Sequence, residues 1–235
     1  MKNNEIVVKD LGVLSYDKSW EHQKRIFDNI VSQKINNRTL KKKIKTENHL
    51  LIVEHKPIYT IGKSGEISNL LLDDQELKLK GIDFKKINRG GDITFHGLGQ
   101  IVGYPILDLD NFFTDIGLYL RTLEEVIIST IDFFGIKGFR IDGETGVWVK
   151  DESNSLKKIC AFGIKASRWV TMHGFALNVN TDLTYFDNIV PCGISDKGVT
   201  SLQEILNQKI AIKTVKEKLY ENIARLFNAE LSMTN

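Results

Sequence analysis

The feature that most limits how this chain can fold is the grouping of its β-formers. Five stretches, "EIVVKDLG", "HLLIVEH", "IYTIG", "DFKKINRG" and "IVGYPILDL", precede a long helical pattern at 114–134, and four more follow it, "ETGVWVKD", "KKICAFGIK", "SRWVTM" and "GFALNV". In the helical stretch Ile116, Leu120, Leu123, Ile127 and Ile131 fall at steps of three or four, and Gly135 supplies a stop. A second helix is expected at 18–34 with Trp20, Phe27 and Val31 on one face. Ser201 with Glu204 and Thr214 with Glu217 have the spacing of capping boxes ahead of two later helices. Strands and helices in blocks argue against strict βαβ alternation and predict an α+β fold of mixed sheets flanked by helices. With three prolines, no Ser/Gly tract and no internal repeat, no linker divides the chain, so residues 1–235 read as one domain.

Charge excludes some functions. Thirty-two Lys and Arg against thirty Asp and Glu leave a net charge of +2, which gives no whole-chain argument for binding nucleic acid or a membrane. The local exception is "RTLKKKIK" at 38–45, either a solvated surface or a docking patch for an acidic partner protein. No apolar run approaches the roughly 18 residues that span a bilayer, and the N-terminus carries no apolar signal core, so a cytoplasmic protein is expected. In a reducing compartment its two cysteines are free thiols rather than a disulfide.

Three segments have the composition of chemistry. "RGGDITFHGLGQ" at 89–100 sets four glycines among polar residues, which lets backbone N–H groups approach a ligand while Arg89 and His96 add charge or hydrogen bonds. Its spacing fits neither a Walker P-loop nor a dinucleotide fingerprint, and "IGKSG" at 61–65 lacks the first P-loop glycine. The five histidines form no HExxH pair and stand with no CxxC, so no metal is expected. His173, beside Gly174, reads equally as structural or ligand-facing. Of the thiols, Cys160 sits in the strand "KKICAFGIK", where burial would make it inert. Cys192 stands between Pro191 and Gly193 in "NIVPCGISDKGVTSL", out of any regular strand, with following N–H groups available to an oxyanion. A nucleophilic cysteine needs a proton acceptor or a cation, and His96, His173, Lys158 and Lys197 all qualify from sequence.

Taken together in order, "EHKPIYTIG", "RGGDITFHGLGQIVGYPILDL", "GETGVWV", "KICAFGIKASRWVTMHGFALNVNTDL" and "IVPCGISDKGVTSL" resemble the lipoyl(octanoyl) transferases of lipoate biosynthesis across about residues 50–206. The resemblance implies an α+β domain of the biotin and lipoate protein ligase type with an apolar acyl tunnel. It assigns the nucleophile to Cys192 and the lysine that favours its thiolate to Lys158. Substrate contacts would come from Arg89, Gly90, Gly91, Asp92, Ile93, Thr94, Phe95 and His96, from Ala161, Phe162 and Gly163, and from Gly174, Phe175 and Ala176. The implied reaction moves an octanoyl group from acyl carrier protein to a lysine of a lipoyl domain, in 2-oxoacid dehydrogenase complexes or the glycine cleavage H protein, with no cofactor. This chain departs from the usual family loop at Phe95, where a tyrosine is common, and at Leu98, where a proline is common. An ATP-dependent lipoate or biotin ligase on the same fold is the alternative; it would need an adenylate site and no cysteine. A module that merely holds an acyl or lipoyl group has no residue in its favour.

Overall fold

The structure is a computed structural model that describes residues 2–40, 44–190 and 198–234. The chain opens with β1 (Glu5–Leu14), α1 (Tyr16–Asn36), β2 (His49–His55) and β3 (Ile58–Ile61). A 3-10 turn at Ile67–Asn69 leads to α2 (Asp74–Lys80), then β4 (Asp83–Lys86), β5 (Ile93–His96) and β6 (Gln100–Ile106). After α3 (Ile116–Asp132) come β7 (Val147–Lys150), β8 (Leu156–Ser167) and β9 (Val170–Asn178). The chain closes with β10 (Gly198–Val199), α4 (Leu202–Leu206), α5 (Ile212–Phe227) and β11 (Glu230–Thr234). The large mixed sheet runs β10-β8-β9-β6-β2-β1-β11 with β7 paired to β8, and a small sheet runs β4-β3-β5. This is the α+β class expected.

Helices cover both faces of the large sheet because each sheet face is apolar. On one face α3 and α5 bury Leu123, Ile127, Leu219 and Ile223 against Ile52, Ile101 and Leu177. On the other, α1 packs Phe27 and Ile30 on Val53, Val102 and Met172. The small sheet has its own core, Tyr59, Ile61, Ile93 and Phe95, against Leu77 of α2 and Phe186. Among the described residues no helix is long and apolar enough to cross a membrane. Of the basic cluster, Lys41, Lys42 and Lys43 lie outside the described residues.

Four expectations need correction. The buried stripe of α1 is Tyr16, Ser19, Gln23, Phe27 and Ile30, whereas Trp20 remains 37% exposed. Two polar residues set that phase, because Gln23 Oε1 accepts the backbone N–H of His173 on β9 at 3.1 Å. Helix α5 begins at Ile212 rather than after Thr214, with Ala211 at its N-cap and no side-chain cap. Asn180 fixes the entry instead, bonding both the N–H and the C=O of Ile210. At α4 Ser201 does cap Glu204 N–H, but Glu204 answers the Thr200 hydroxyl instead of completing the box. Finally, "SRWVTM" and "GFALNV" are not two strands: Arg168 and Trp169, at φ of 52° and 65°, make a two-residue hairpin turn into the single strand β9.

Candidate active site

The arginine-glycine loop, 89–92, joins the two sheets. Arg89, 7% exposed, donates Nη2 to the carbonyls of Thr60 and Asp92 at 2.9 and 2.8 Å, and Nη1 to Gly90 O at 2.9 Å. Lys63 N–H reaches Arg89 O on the β3 side, and Gly90 N–H reaches Ile164 O of β8 on the other. The backbones are so close that a Cβ at Gly62 would collide with Gly91 O. Glycine here therefore serves sheet-to-sheet contact: Gly90 N–H is spent on β8, though Gly91 does take a positive φ of 87°. Asp92 accepts from Asn69 Nδ2 at 2.7 Å, tying the 3-10 turn to the loop. Part of the glycine-rich segment is strand β5, in register with β3.

His96 closes β5 and is fully enclosed. Its Nδ1–H donates to Gln100 Oε1 at 2.8 Å and its Nε2 faces the Thr60 hydroxyl at 3.3 Å. Burial, helped by the Arg89 charge and its histidine neighbours, holds its pKa down at about 3, so it contributes hydrogen bonds and no charge. His55, with Nδ1–H on Leu14 O and Nε2 accepting from Tyr104 hydroxyl, is lowered by burial to about 4. His173 is also lowered to about 4, by burial first and then by Arg89 and Lys165. From His96 a polar line continues through Gln100 to Asn178 at 2.9 Å and on to Thr200 O at 3.0 Å. Thr200 N–H in turn bonds Lys158 O.

Lys158 lies on β8 between Trp148 of β7 and Val199 of β10. Its ammonium sits 4.5 Å from the Trp148 ring centroid, a cation–π contact. Room for the side chain comes from Gly146, where a Cβ would stand 3.1 Å from Lys158 Cε. Gly146 is held by its N–H on Glu124 Oε1 at 3.0 Å, and that wholly buried carboxylate is balanced by Arg121 at 2.6 Å and Arg140 at 3.1 Å. Cys160, two residues on, is 1% exposed and its thiol is pushed well up by burial, which keeps it protonated and inert. Pro191, Cys192, Gly193 and Lys197 lie outside the described residues. The flanking chain ends at Val190, whose N–H bonds Asn69 O, and resumes at Gly198, paired with Lys157.

Between the sheets lies a narrow cleft. Of the residues named from sequence, Arg89, His96 and residues 91–94, 161–163 and 174–176 line it. Gly90 and Phe95 do not. Phe95 turns into the small-sheet core, stacked on Tyr185 at 4.4 Å between centroids, so a tyrosine hydroxyl there is not missed by the cleft. Leu98 is 55% exposed in the β5–β6 turn. A second, small cavity is lined by Lys158 and shares Ile93, Thr94, Ala161 and Ala176 with the first, so these four residues stand between the lysine and the cleft. Tyr16 and Ile87 line the cleft unannounced by any sequence motif, and Val102 and Tyr104, inside a quoted motif, were not singled out as contacts. Among the described residues no group of three or more His, Cys, Asp or Glu is placed to hold a metal ion.

This fold and groove are those of a lipoate-ligase-like catalytic domain: the profile of the lipoyl protein ligase A/B catalytic domain family matches residues 15–224. The bipartite lipoate protein ligase of Thermoplasma acidophilum superposes with a TM-score of 0.68 at 16% identity, covering 100% of this chain and 88% of that one. Proteins named octanoyltransferase are much nearer in sequence. That of Christiangramia forsetii is 57% identical over 97% of this chain and 98% of its own, and that of Flavobacterium johnsoniae 55% over 97% and 99%. The chain belongs to the octanoyltransferase family.

Proposed function

We propose that the protein transfers an octanoyl group from the thioester of acyl carrier protein to a lysine amine of lipoyl domains, through a thioester on Cys192. The acceptors would be the lipoyl domains of 2-oxoacid dehydrogenase complexes and the glycine cleavage H protein. The observation that carries this reading is the apolar cleft, walled by Ile93, Phe162 and Phe175, that shares Ile93, Thr94, Ala161 and Ala176 with the cavity beside the Lys158 side chain. Cys192 as thiolate attacks the thioester carbonyl and expels the carrier-protein thiolate. Exchange of one thioester for another changes free energy little, and attack by the acceptor lysine then forms an amide downhill and returns the Cys192 thiolate, so no ATP is consumed. Lys158 serves both halves: as ammonium it favours the Cys192 thiolate and then gives its proton to the departing carrier-protein thiolate, and as the amine so formed it takes the proton released by the acceptor lysine. Arg89 holds the loop that walls the cleft, and His96, neutral, braces it.

Intact mass after incubation with octanoyl acyl carrier protein, without ATP, tests the reading. An octanoyl adduct is expected in the unmodified protein and in Cys160→Ser, and none in Cys192→Ser; absence of the adduct from the unmodified protein refutes the proposal. Octanoylation of a lipoyl domain from free octanoate and ATP, with no adduct on this protein, would instead favour an adenylating ligase. Lys158→Met, which keeps packing on Trp148 but loses the charge, should slow single-turnover acylation at neutral pH by about 10²-fold with the fold retained.

Gly146→Ala tests the placement of that lysine. Gly146 has φ 149°, which disfavours a side chain, and the added methyl would press on Lys158 Cε. The variant should slow acylation about tenfold while costing about 1–3 kcal/mol of stability. Normal acylation kinetics in a folded Gly146→Ala protein would show that the lysine position does not matter.

A further inference from the structure

The end of the cleft away from Lys158 is a thin wall. Tyr16, the first residue of α1, and His173 of β9 are 5% and 2% exposed, yet with Ile87 they line both the cleft and a second, outer groove. That groove is bordered by Trp20, Phe27, Lys86 and Lys165 and opens between α1 and the β8–β9 hairpin. The Tyr16 ring leans on His55 and His96, with centroids 5.4 and 6.3 Å away. The backbone of His173 is fixed by Gln23 at a φ of 62°.

The wall stands at a telling distance. The cleft and the lysine cavity share the rung Ala161–Ala176, and His173 is paired with Ile164 three rungs further along the same two strands. Three rungs span roughly 10 Å. Eight carbons in extended form, seven bonds of about 1.5 Å in zigzag, measure roughly 9 Å. A longer chain would meet Tyr16 and His173.

We propose that Tyr16 and His173 set the upper acyl length of the cleft, and that removing either side chain lets a longer acyl chain continue into the outer groove. The inference rests on the octanoyl-transfer reading and adds to it the residues that decide which acyl group is accepted. Neither residue takes part in the chemistry; both act as a stop against the end of the chain. The Tyr16 hydroxyl has no hydrogen-bond partner among the described residues, so truncating this side chain strands no partner.

The test measures acylation by octanoyl, dodecanoyl and hexadecanoyl carrier proteins, by intact mass, for the unmodified protein, Tyr16→Phe, Tyr16→Ala and His173→Gly. The unmodified protein and Tyr16→Phe, which keeps the wall, should strongly favour the eight-carbon donor. Tyr16→Ala and His173→Gly should raise the twelve-to-eight-carbon rate ratio about tenfold or more. Glycine suits the positive φ at 173, so that variant carries the test if Tyr16→Ala fails to fold. Folded variants whose ratio stays within about twofold of the unmodified protein overturn the proposal. If the unmodified protein forms no adduct with any donor, the transfer reading fails by itself. The wall is then read from melting temperatures with octanoate or dodecanoate: stabilisation by dodecanoate should appear only in the two truncated variants, and its absence there refutes the wall.

Discussion

Lowering the pH from 7 to 5 is expected to remove up to about 6 kcal/mol of stability, and the cause is the histidine cluster around Arg89. His55 and His173 are held at about 4 and His96 at about 3, against 6.5 for an accessible imidazole, with burial as the largest cause for each. Because the folded values lie below the unfolded one, only the unfolded chain binds protons between pH 6.5 and 4. Stability is therefore complete above 6.5, falls as the pH drops through that window, and stops falling once the folded protein also protonates. One unit is worth about 1.4 kcal/mol, so at pH 5, 1.5 units below 6.5, each histidine costs about 2 kcal/mol. The loss rivals the whole stability of many domains, about 5–15 kcal/mol. Urea titrations at pH 7, 6 and 5 should show a falling midpoint at constant m, and His55→Gln should recover about a third of the loss. Stability constant to within about 1 kcal/mol across that range would mean the cluster is solvated or already charged.

The cluster also shows where sequence reasoning stops. Strand β2 and helix α3 were readable because their signals are local: an unbroken apolar run over Leu50–Val53, and apolar steps of three and four ended by Gly135. Helix α2 had an equally local signature, Asp73 and Glu76 in a complete capping box and Gly81 at the end, and was passed over for want of an apolar stripe. Strand β5 was hidden because four residues, Ile93–His96, stand between glycines whose turn signal dominates. Polar residues that tertiary contacts bury, Ser19 and Gln23, cannot announce themselves in a hydrophobic pattern, so the phase of α1 was missed. The cleft draws on segments more than 150 positions apart that tertiary contacts bring together, among them Gln23 of α1 on His173 of β9 and Gly90 on Ile164 of β8. Motif resemblance named most of its walls. Tyr16 and Ile87 belong to no motif, and nothing near either in the chain reports a cavity.

Arg89→Ala is expected to cost about 3–5 kcal/mol at pH 7, because the guanidinium fastens the loop rather than waiting for a ligand. Three backbone carbonyls and the Thr60 hydroxyl lose a charged donor in a largely buried site. Lysine keeps the charge but has no planar fork, so Arg89→Lys should recover only part of the loss, leaving a deficit of about 1–3 kcal/mol. Activity should fall beyond what stability explains, since residues 91–94 of the same segment wall the cleft. A residue that only bound substrate would behave differently: its removal would raise KM and leave the urea midpoint within about 0.5 kcal/mol of the unmodified value. The two predictions are also coupled. Arg89 is one of the charges that depress His96 and His173, so without it both imidazoles accept protons more readily in the folded state. The deficit of Arg89→Ala should accordingly be smaller at pH 5 than at pH 7, whereas an arginine electrostatically independent of the cluster would give the same deficit at both.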